Sequence, residues 1–468
     1  MRRFWSNTDG NFAMLFAIAA VPIIGAMGAA VDYSIANSYR TDMQKALDAT
    51  ALALSKIMPA DQATLDSVGM QYFTANMGPH TLSDLAVVVT PDVGQVKIRA
   101  SGFYQPKIAH ILGQEMFPLS TESTAKWSLG KVEVALVLDN SLSMNDLGRV
   151  THLKAAAHDL LNVLQTAAKQ PGDAKVAIVP FDGNVKVTPP PVTDAWITAA
   201  TWLRWDLWQA NNGTCTESGN NNQSACVSDG SCSKSKYTTK KNCESNGYAW
   251  TFGKWTPKAK TTWTGCVQDR DRMDGATAVD YDTKDTEPTS DPTRFPAWQC
   301  YSGNLTPLMG LSENWGTPGS NDVTTLHGKV NALTPSGYTN INIGLNWGFH
   351  VLSQSPVYTE GAAYGTANLT KYLILMTDGN NTRSRYEQSC PVPTGPCPTL
   401  DAQTALTCTN VKAANIKLYT VRLIEGNATL LQNCATNPGM YYNVQDASQL
   451  SSVFSAIGAE IASLHLMK

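Results

Sequence analysis

The sequence predicts an α/β protein: a doubly wound, mostly parallel sheet with a large Cys-rich insertion, preceded by an N-terminal transmembrane helix and a small α+β domain. Three observations predict it. Two apolar runs, residues 132–138 and 372–376, are short and branched enough to be buried central strands, and each ends on a polar loop. Residues 12–31 are uncharged and apolar over roughly 30 Å of helix at 1.5 Å per residue, the thickness of a bilayer core. Between the two strands the composition changes, and residues 189–320 carry six of the ten cysteines in a stretch rich in Gly, Asn, Ser, Thr and Trp.

The elements follow in order. A short arm, residues 1–11, carries Arg2 and Arg3, and Asp32 lies beyond the apolar run, so the positive-inside rule keeps the N-terminus cytoplasmic and exports the rest. A cleaved signal ending at Gly28-Ala29-Ala30 is the competing reading, but signal cores span only about 7–15 residues, which favours an anchor. Residues 39–56 are Ala/Leu-rich with helical spacing, so residues 32–57 are expected to extend the membrane helix as a stalk. Residues 58–128 hold three strand-like segments, 85–90, 95–100 and 120–127, and are expected to be a small spacing or pairing domain. The sheet domain is expected over 131–188 and 321–468, with the insertion at 189–320, since a connection of that length is a folded or functional unit rather than a loop. Residues 175–181 and 416–423 read as strands, 428–434 as a helix, 440–444 as a short last strand and 450–466 as an amphipathic final helix.

Candidate chemistry gathers at three places. Asp139-x-Ser141-x-Ser143 follows the first strand, Thr377-Asp378-Gly379 follows the second, and Thr339 lies in a turn-rich loop, residues 336–340, before the helical pattern Ile341, Leu345, Phe349, Leu352. In open α/β sheets ligands bind beyond the carboxyl ends of the strands, so Asp139, Ser141, Ser143, Thr339 and Asp378 are expected to converge on one edge. Hydroxyl and carboxylate oxygens suit a hard cation, Mg²⁺ or alternatively Mn²⁺ or Ca²⁺, whereas zinc prefers His or Cys. One or two carboxylates with neutral hydroxyls leave such an ion positive with a position open, which an acidic side chain of a protein partner would fill. The plainer alternative is that Ser141, Ser143 and Asp378 only cap helices. Three loops in the right order, two directly after strands, favour the metal.

At these residues the chain resembles the von Willebrand factor A domain, a Rossmann-like doubly wound fold. Its metal-ion-dependent adhesion site is matched by Asp139, Ser141, Ser143, Thr339 and Asp378. The resemblance implies a doubly wound sheet with a metal at its top edge. Gly10-Asn11-Phe12, the apolar run, Asp32 and the Ala-Leu-Asp-Ala-Thr-Ala-Leu-Ala segment resemble the TadE/TadG group of tight-adherence (Flp) pilus assembly proteins. Leu15-Phe16 stands where pilin-like leaders of that system have Glu-Phe, which weighs against prepilin-type cleavage. The group implies a single-pass protein of the bacterial inner membrane with its bulk in the periplasm, other Tad pilus or TadE-like membrane proteins as partners, and a role in pilus assembly. A surface adhesin using the same metal site is the alternative.

Other readings are narrower. A net charge of −3 without any Lys/Arg run argues against nucleic acid. An aspartyl phosphatase would need a second Asp where Ser141 stands, and no His-Glu-x-x-His, Gly-x-Ser-x-Gly or phosphate-cradling loop is present. Ten cysteines, all beyond the apolar run, imply disulfides in an oxidising compartment, with Cys408/Cys434 and Cys390/Cys397 as plausible pairs. The acidic stretch from Gly265 to Asp282 does not fit a calcium loop and is expected to be solvated. The Trp-rich segments 196–208 and 250–263 are expected to form the insertion's own small core, and His152 and His158 to lie on a helix surface.

Overall fold

The computed structural model describes residues 9–57, 61–92, 95–113, 115–126, 130–187, 201–274, 277–301, 305–354, 357–388, 390 and 397–466. Arg2, Arg3, Trp127, Trp196 and Lys468 lie outside them. The chain divides into two compact units, with the boundary between Leu129 and Gly130.

In the first unit a single helix, α1 (Asp9–Ile57), continues from the apolar run without a break. It is long and apolar enough to cross a membrane. The side chains of residues 15–19 and 21–24 are all exposed, but from Gly25 one helical stripe is covered, and Met43, Ala46, Leu47, Ala51 and Leu54 are buried. They pack with Leu65 and Phe73 of α2 (Gln62–Asn76) and with Val89, Val96, Ile98 and Ala100. These last four lie on β1 (Ser83–Asp92) and β2 (Gln95–Tyr104), which with β3 (Phe117–Lys126) form an antiparallel meander. Residues 32–57 are therefore not a free stalk. They supply one wall of the α+β core, because their apolar residues recur at the helical period and the half-exposed meander needs a cover.

The second unit is built on four parallel strand pairings. In order across the sheet they join β8 (Tyr441–Val444), β7 (Lys417–Leu423), β6 (Leu369–Thr377), β4 (Lys131–Asp139) and β5 (Ala174–Phe181). Alternate residues of β4 feed opposite faces: Val132, Val134, Leu136 and Leu138 join one core, Ala135 and Val137 the other. The first face is covered by α3 (Arg149–Ala167), α4 (Leu326–Asn331) and α8 (Leu450–Leu466). The second is covered by α5 (Ile341–Leu352), α6 (Pro398–Ala413) and α7 (Ala428–Cys434). Helices on both faces of a parallel centre bear out the doubly wound expectation and explain why the strands are continuously apolar.

The insertion does not stand apart from this sheet. Beyond β5, the short strands Val185–Lys186, Cys266–Val267 and Phe295–Trp298 add antiparallel, Leu203–Arg204 closes the edge, and Met309–Ser312 pairs with β5. Trp208, Trp263 and Phe295 are buried in the same core as Trp347 of α5, so these tryptophans extend the domain core rather than form a separate one. The part that does project repeats itself at a 17-residue interval. Gly213-Thr214-Cys215 bonds through Cys226, and Gly230-Ser231-Cys232 through Cys243, each from a short strand to a short helix. The other disulfides are Cys266–Cys300, Cys390–Cys397 and Cys408–Cys434, which include both expected pairs.

Candidate metal centre

Asp139 is the last residue of β4, at the carboxyl end of the sheet, and is 1 % exposed. Its Oδ1 accepts the backbone N–H of Ser141 (2.8 Å), and its Oδ2 accepts the hydroxyl of Thr377 at the end of β6 (2.6 Å). The two central strands are thus tied by one carboxylate. Asp378, the next residue, is fully buried, and its Oδ1 accepts the hydroxyl of Ser143 (2.7 Å). Ser141 and Ser143 hydroxyls lie 3.1 Å apart. Thr339 reaches the same place from the loop before α5: a Cβ built on Gly379 would lie 3.8 Å from both Ser143 Oγ and Thr339 Oγ1. All five residues expected to converge are therefore at this edge.

The loops are locked by backbone bonds. Asn140 donates to the Phe181 carbonyl, Ser336 to that of Asn140, and Leu142 to that of Gly337. The Thr339 N–H donates to the Thr382 hydroxyl, and Thr382 N–H to the Thr339 carbonyl. Such bonding leaves little freedom in the hydroxyls' positions, as an ion site requires.

Two groups were not anticipated. Arg149, at the start of α3, donates to Asp378 Oδ2 (2.8 Å) while its side chain is 5 % exposed, and it lies 3.6 Å from exposed Glu425. Asp182, just after β5, is buried under Gly337, whose backbone at φ +73° leaves room for the carboxylate where a Cβ would stand. Its Oδ2 has no hydrogen-bond partner among the described residues, and burial pushes its pKa up to about 8, so it is largely neutral at pH 7. No spacing in the sequence ties Arg149 or Asp182 to the loops; only the strand order brings them there.

Burial raises the pKa of Asp139, and the neighbouring Asp378 charge raises it further. Asp378 is also raised by burial, against the pull of Arg149 and Ser143. Two carboxylates and one guanidinium leave this edge one negative charge in excess when both acids are ionised, a cost that a cation would remove. The hydroxyls are set for one. Ser143 donates its proton to Asp378 and keeps its lone pairs, and Thr377 donates to Asp139, so both hydrogen bonds favour the charged carboxylates against the opposing effect of burial. Among the described residues no three His, Cys, Asp or Glu side chains converge as a ligand set. The donors here are mainly hydroxyls, which fit a hard cation.

The acidic stretch of the insertion is a different object and overturns the expectation of a solvated loop. Gln268, Asp269, Arg270 and Asp282 are buried. Arg272 bonds Asp282 and Glu387 (2.8 Å each), and Asp271 receives Arg204 (2.9 Å) and Arg385 (2.6 Å). Arg270 donates to the carbonyls of Thr286 and Thr293 and covers the ring of Phe295. Asp269 accepts both bonds of the Asn340 amide (3.0 and 3.1 Å) and the N–H of Arg385, so it holds the residue after Thr339. His158 is likewise not free on the surface, since its Nδ1 meets that of His327 at 2.7 Å.

Residues 10–54 match the family described as putative Flp pilus-assembly TadE/G-like, which bears out the resemblance of that segment. No curated protein matches the sequence. Among solved structures the chain is similar to the pilus adhesin SpaC from Lactobacillus rhamnosus GG, at 11% identity and a TM-score of 0.36, over 81% of this chain and 34% of that one. It is similar to the vWF domain of the type V pili tip protein Mfa5 from Porphyromonas gingivalis, at 10% identity and a TM-score of 0.34, over 72% of this chain and 97% of that one. A third is proximal thread matrix protein 1 from the mussel byssus with a zinc-occupied MIDAS motif, at 11% identity and a TM-score of 0.31, over 71% and 48% of the two chains. This chain spans about a third of the length of SpaC. At these identities and scores the fold rests on the strand order and helix placement above.

Proposed function

We propose that the chain is a membrane-anchored, exported, metal-dependent protein-binding module that supports assembly or anchoring of a Tad/Flp-type pilus. One observation carries the reading: Asp139, Ser141, Ser143 and Asp378 form a continuous bonded edge with Thr339 beside it, at the carboxyl end of a parallel sheet. Mg²⁺ is the preferred ion, with Mn²⁺ or Ca²⁺ as substitutes. Asp139, Ser141, Ser143 and Thr339 supply oxygens, and Asp378 holds Ser143. Adding a divalent cation turns an excess of one negative charge into one positive, which would attract a carboxylate from the partner. The protein is a binder rather than an enzyme in this reading.

The surroundings support a protein partner. Leu142 is 61% exposed, Leu147 81% and Tyr338 45%, so three large apolar side chains are exposed within a few residues of the ligand loops. Arg383 lies 4.7 Å over the Tyr338 ring and adds positive charge. An apolar rim around a charged centre excludes water from a docked carboxylate and strengthens its attraction. The family match at residues 10–54 supports pilus components as the neighbours, and five disulfides support the periplasmic side as the place.

The test is crosslinking of the full chain in its own membranes, with Mg²⁺ or with chelator. Neighbours should be captured only with the cation, and Asp139→Ala should abolish capture while leaving the disulfide pattern and thermal transition in place. Capture that survives both the chelator and the substitution would sink the proposal.

A further inference from the structure

The apolar helix and the domain behind it are joined at a point that lies inside the apolar run. Ile108 presses its side chain against Gly28, in the space a Cβ would need. One turn later Asp32, with no exposure to solvent, accepts three backbone N–H groups, from Lys107 (3.0 Å), Ile108 (2.7 Å) and Ala109 (2.6 Å). The backbone of residues 107–109 is therefore tied to α1 at Asp32 and the Ile108 side chain meets it at Gly28, and all these groups belong to the first unit.

That level fixes a depth. If the hydrocarbon begins at Phe12, about 30 Å of it ends near Val31 at 1.5 Å per residue. Gly28 then lies about 5 Å inside the boundary, and Ile108 with it. This is the depth at which interfacial segments sit, about 5–10 Å into the headgroup and acyl boundary. The composition agrees with the depth: Lys107 and His110, polar and suited to headgroups, are interspersed among the apolar residues Ile108, Ile111 and Leu112. Ile108 is 37% exposed and Met116 40%, beside a helix whose Met27 and Val31 are 65% and 50% exposed.

We propose that residues 107–112 are a second contact with the same membrane, a monotopic segment seated in the outer boundary of the bilayer and clamped to the spanning helix by Asp32. The partner of this surface is lipid. The clamp fixes how far the first unit stands from the membrane, since a loop tied to α1 in this way cannot leave the interface without moving the helix. The proposal rests on the reading of α1 as a spanning helix.

Because the described cysteines are all in disulfides, an introduced thiol would be unique. The full chain would be reconstituted in liposomes and labelled with an environment-sensitive fluorophore at Ile108→Cys, and separately at His110→Cys, which is exposed and leaves the Gly28 contact intact. Ile18→Cys and Met27→Cys mark the helix, and Tyr72→Cys on α2 marks water. Lipids bearing a nitroxide near the headgroup should quench positions 108 and 110 at least half as strongly as position 27, and leave position 72 unquenched. Quenching of 18 and 27 but not of 108 and 110, with the latter open to aqueous iodide, overturns the proposal and spares the anchor. Protection of 108 and 110 from both quenchers overturns it in favour of a protein neighbour. Absence of lipid quenching at 18 and 27 as well removes the anchor and the proposal together.

Discussion

Two groups of buried and half-buried acids lie near one another in the second unit, and they are built on opposite principles. Around Asp269, Asp271, Asp282 and Glu387 the sequence places Arg204, Arg270, Arg272 and Arg385, and nearly every carboxylate oxygen meets a guanidinium or amide. Around Asp139 and Asp378 there is one guanidinium, Arg149, and otherwise hydroxyls. Hydroxyls orient a carboxylate without cancelling its charge. The first, the closed group, is neutralised by its guanidinium groups, although Asp282 Oδ1 has no partner among the described residues, and the second, the open group, keeps an excess of negative charge, which in the proposed function a cation neutralises. Counting acids alone would rank the insertion as the better cation site; counting their partners reverses the order.

The largest effect should come from opening the closed group. Arg272→Ala leaves buried Asp282 and half-buried Glu387 without their guanidinium, and loss of one partner from a buried pair such as that with Asp282 costs about 3–5 kcal/mol. Thermal or denaturant unfolding of the second unit should show that loss. A change below about 1 kcal/mol would mean that the network is ornamental, as surface pairs are, and would erase the contrast.

The opposite sign is expected at the open group. Asp139→Asn keeps an acceptor oxygen for the Ser141 N–H and can donate its amide to the Thr377 hydroxyl, whose proton then turns to the Gly379 carbonyl (3.4 Å), while a buried charge is removed, so without metal the variant should be at least as stable as the parent. The difference should appear with Mg²⁺. An ion at a hundredfold excess over its Kd stabilises the parent by about 2.7 kcal/mol, and the variant should gain little. Calorimetric scans with Mg²⁺ and with chelator check both halves. A variant that unfolds early in chelator would place Asp139 with the structural acids.

The pH dependence sharpens the same point. Asp139 and Asp378 have folded pKa values above their unfolded ones. Their protons are kept on folding, so their contribution is full below the unfolded value near 4 and is lost as pH rises through the folded values. Asp182, pushed up to about 8, adds to the trend. In chelator the unit should therefore lose stability from pH 4 to pH 8. Mg²⁺ should flatten that slope, because the ion binds the ionised acids. Parallel slopes with and without Mg²⁺ would show that no ion engages them.

The sequence made the open group legible because its residues terminate apolar strands. Asp139 and Asp378 each follow such a run, and the parallel order of β4 and β6 brings the strand ends together without any further information. Arg149 and Asp182 were not legible. Each is an ordinary polar residue in its own segment, and becomes part of the edge only through the packing of α3 and the placement of β5 beside β4. The insertion is poorly legible for a related reason. Its strands are two to four residues long, too short for periodicity, and its charges read as solvated because their partners, such as Arg385 for Asp271, lie over a hundred positions away. Its 17-residue repeat, Gly-x-Cys followed by Cys-x-Ser-x-Gly, was present in the sequence and would have given two of the disulfide pairs.

The smallest effect concerns the rim. Leu147 is 81% exposed and holds a left-handed backbone at φ +51°, a conformation that costs a side-chain-bearing residue about 1–2 kcal/mol. The adjoining Gly148, at φ +70°, shows that the turn into α3 needs this backbone, but glycine would serve at 147 as well. An exposed leucine kept there at a conformational cost is explained if the partner covers it, since strain of this kind is tolerated where function holds it. Leu147→Gly should then raise the stability of the isolated protein by about 1 kcal/mol while weakening capture of the partner in the presence of Mg²⁺. In the closed group Arg272, largely buried, and Asp282, fully buried, have no positive φ. If Leu147→Gly stabilises the fold and leaves capture unchanged, the partner does not touch this rim, and the open acids face their ligand from another side.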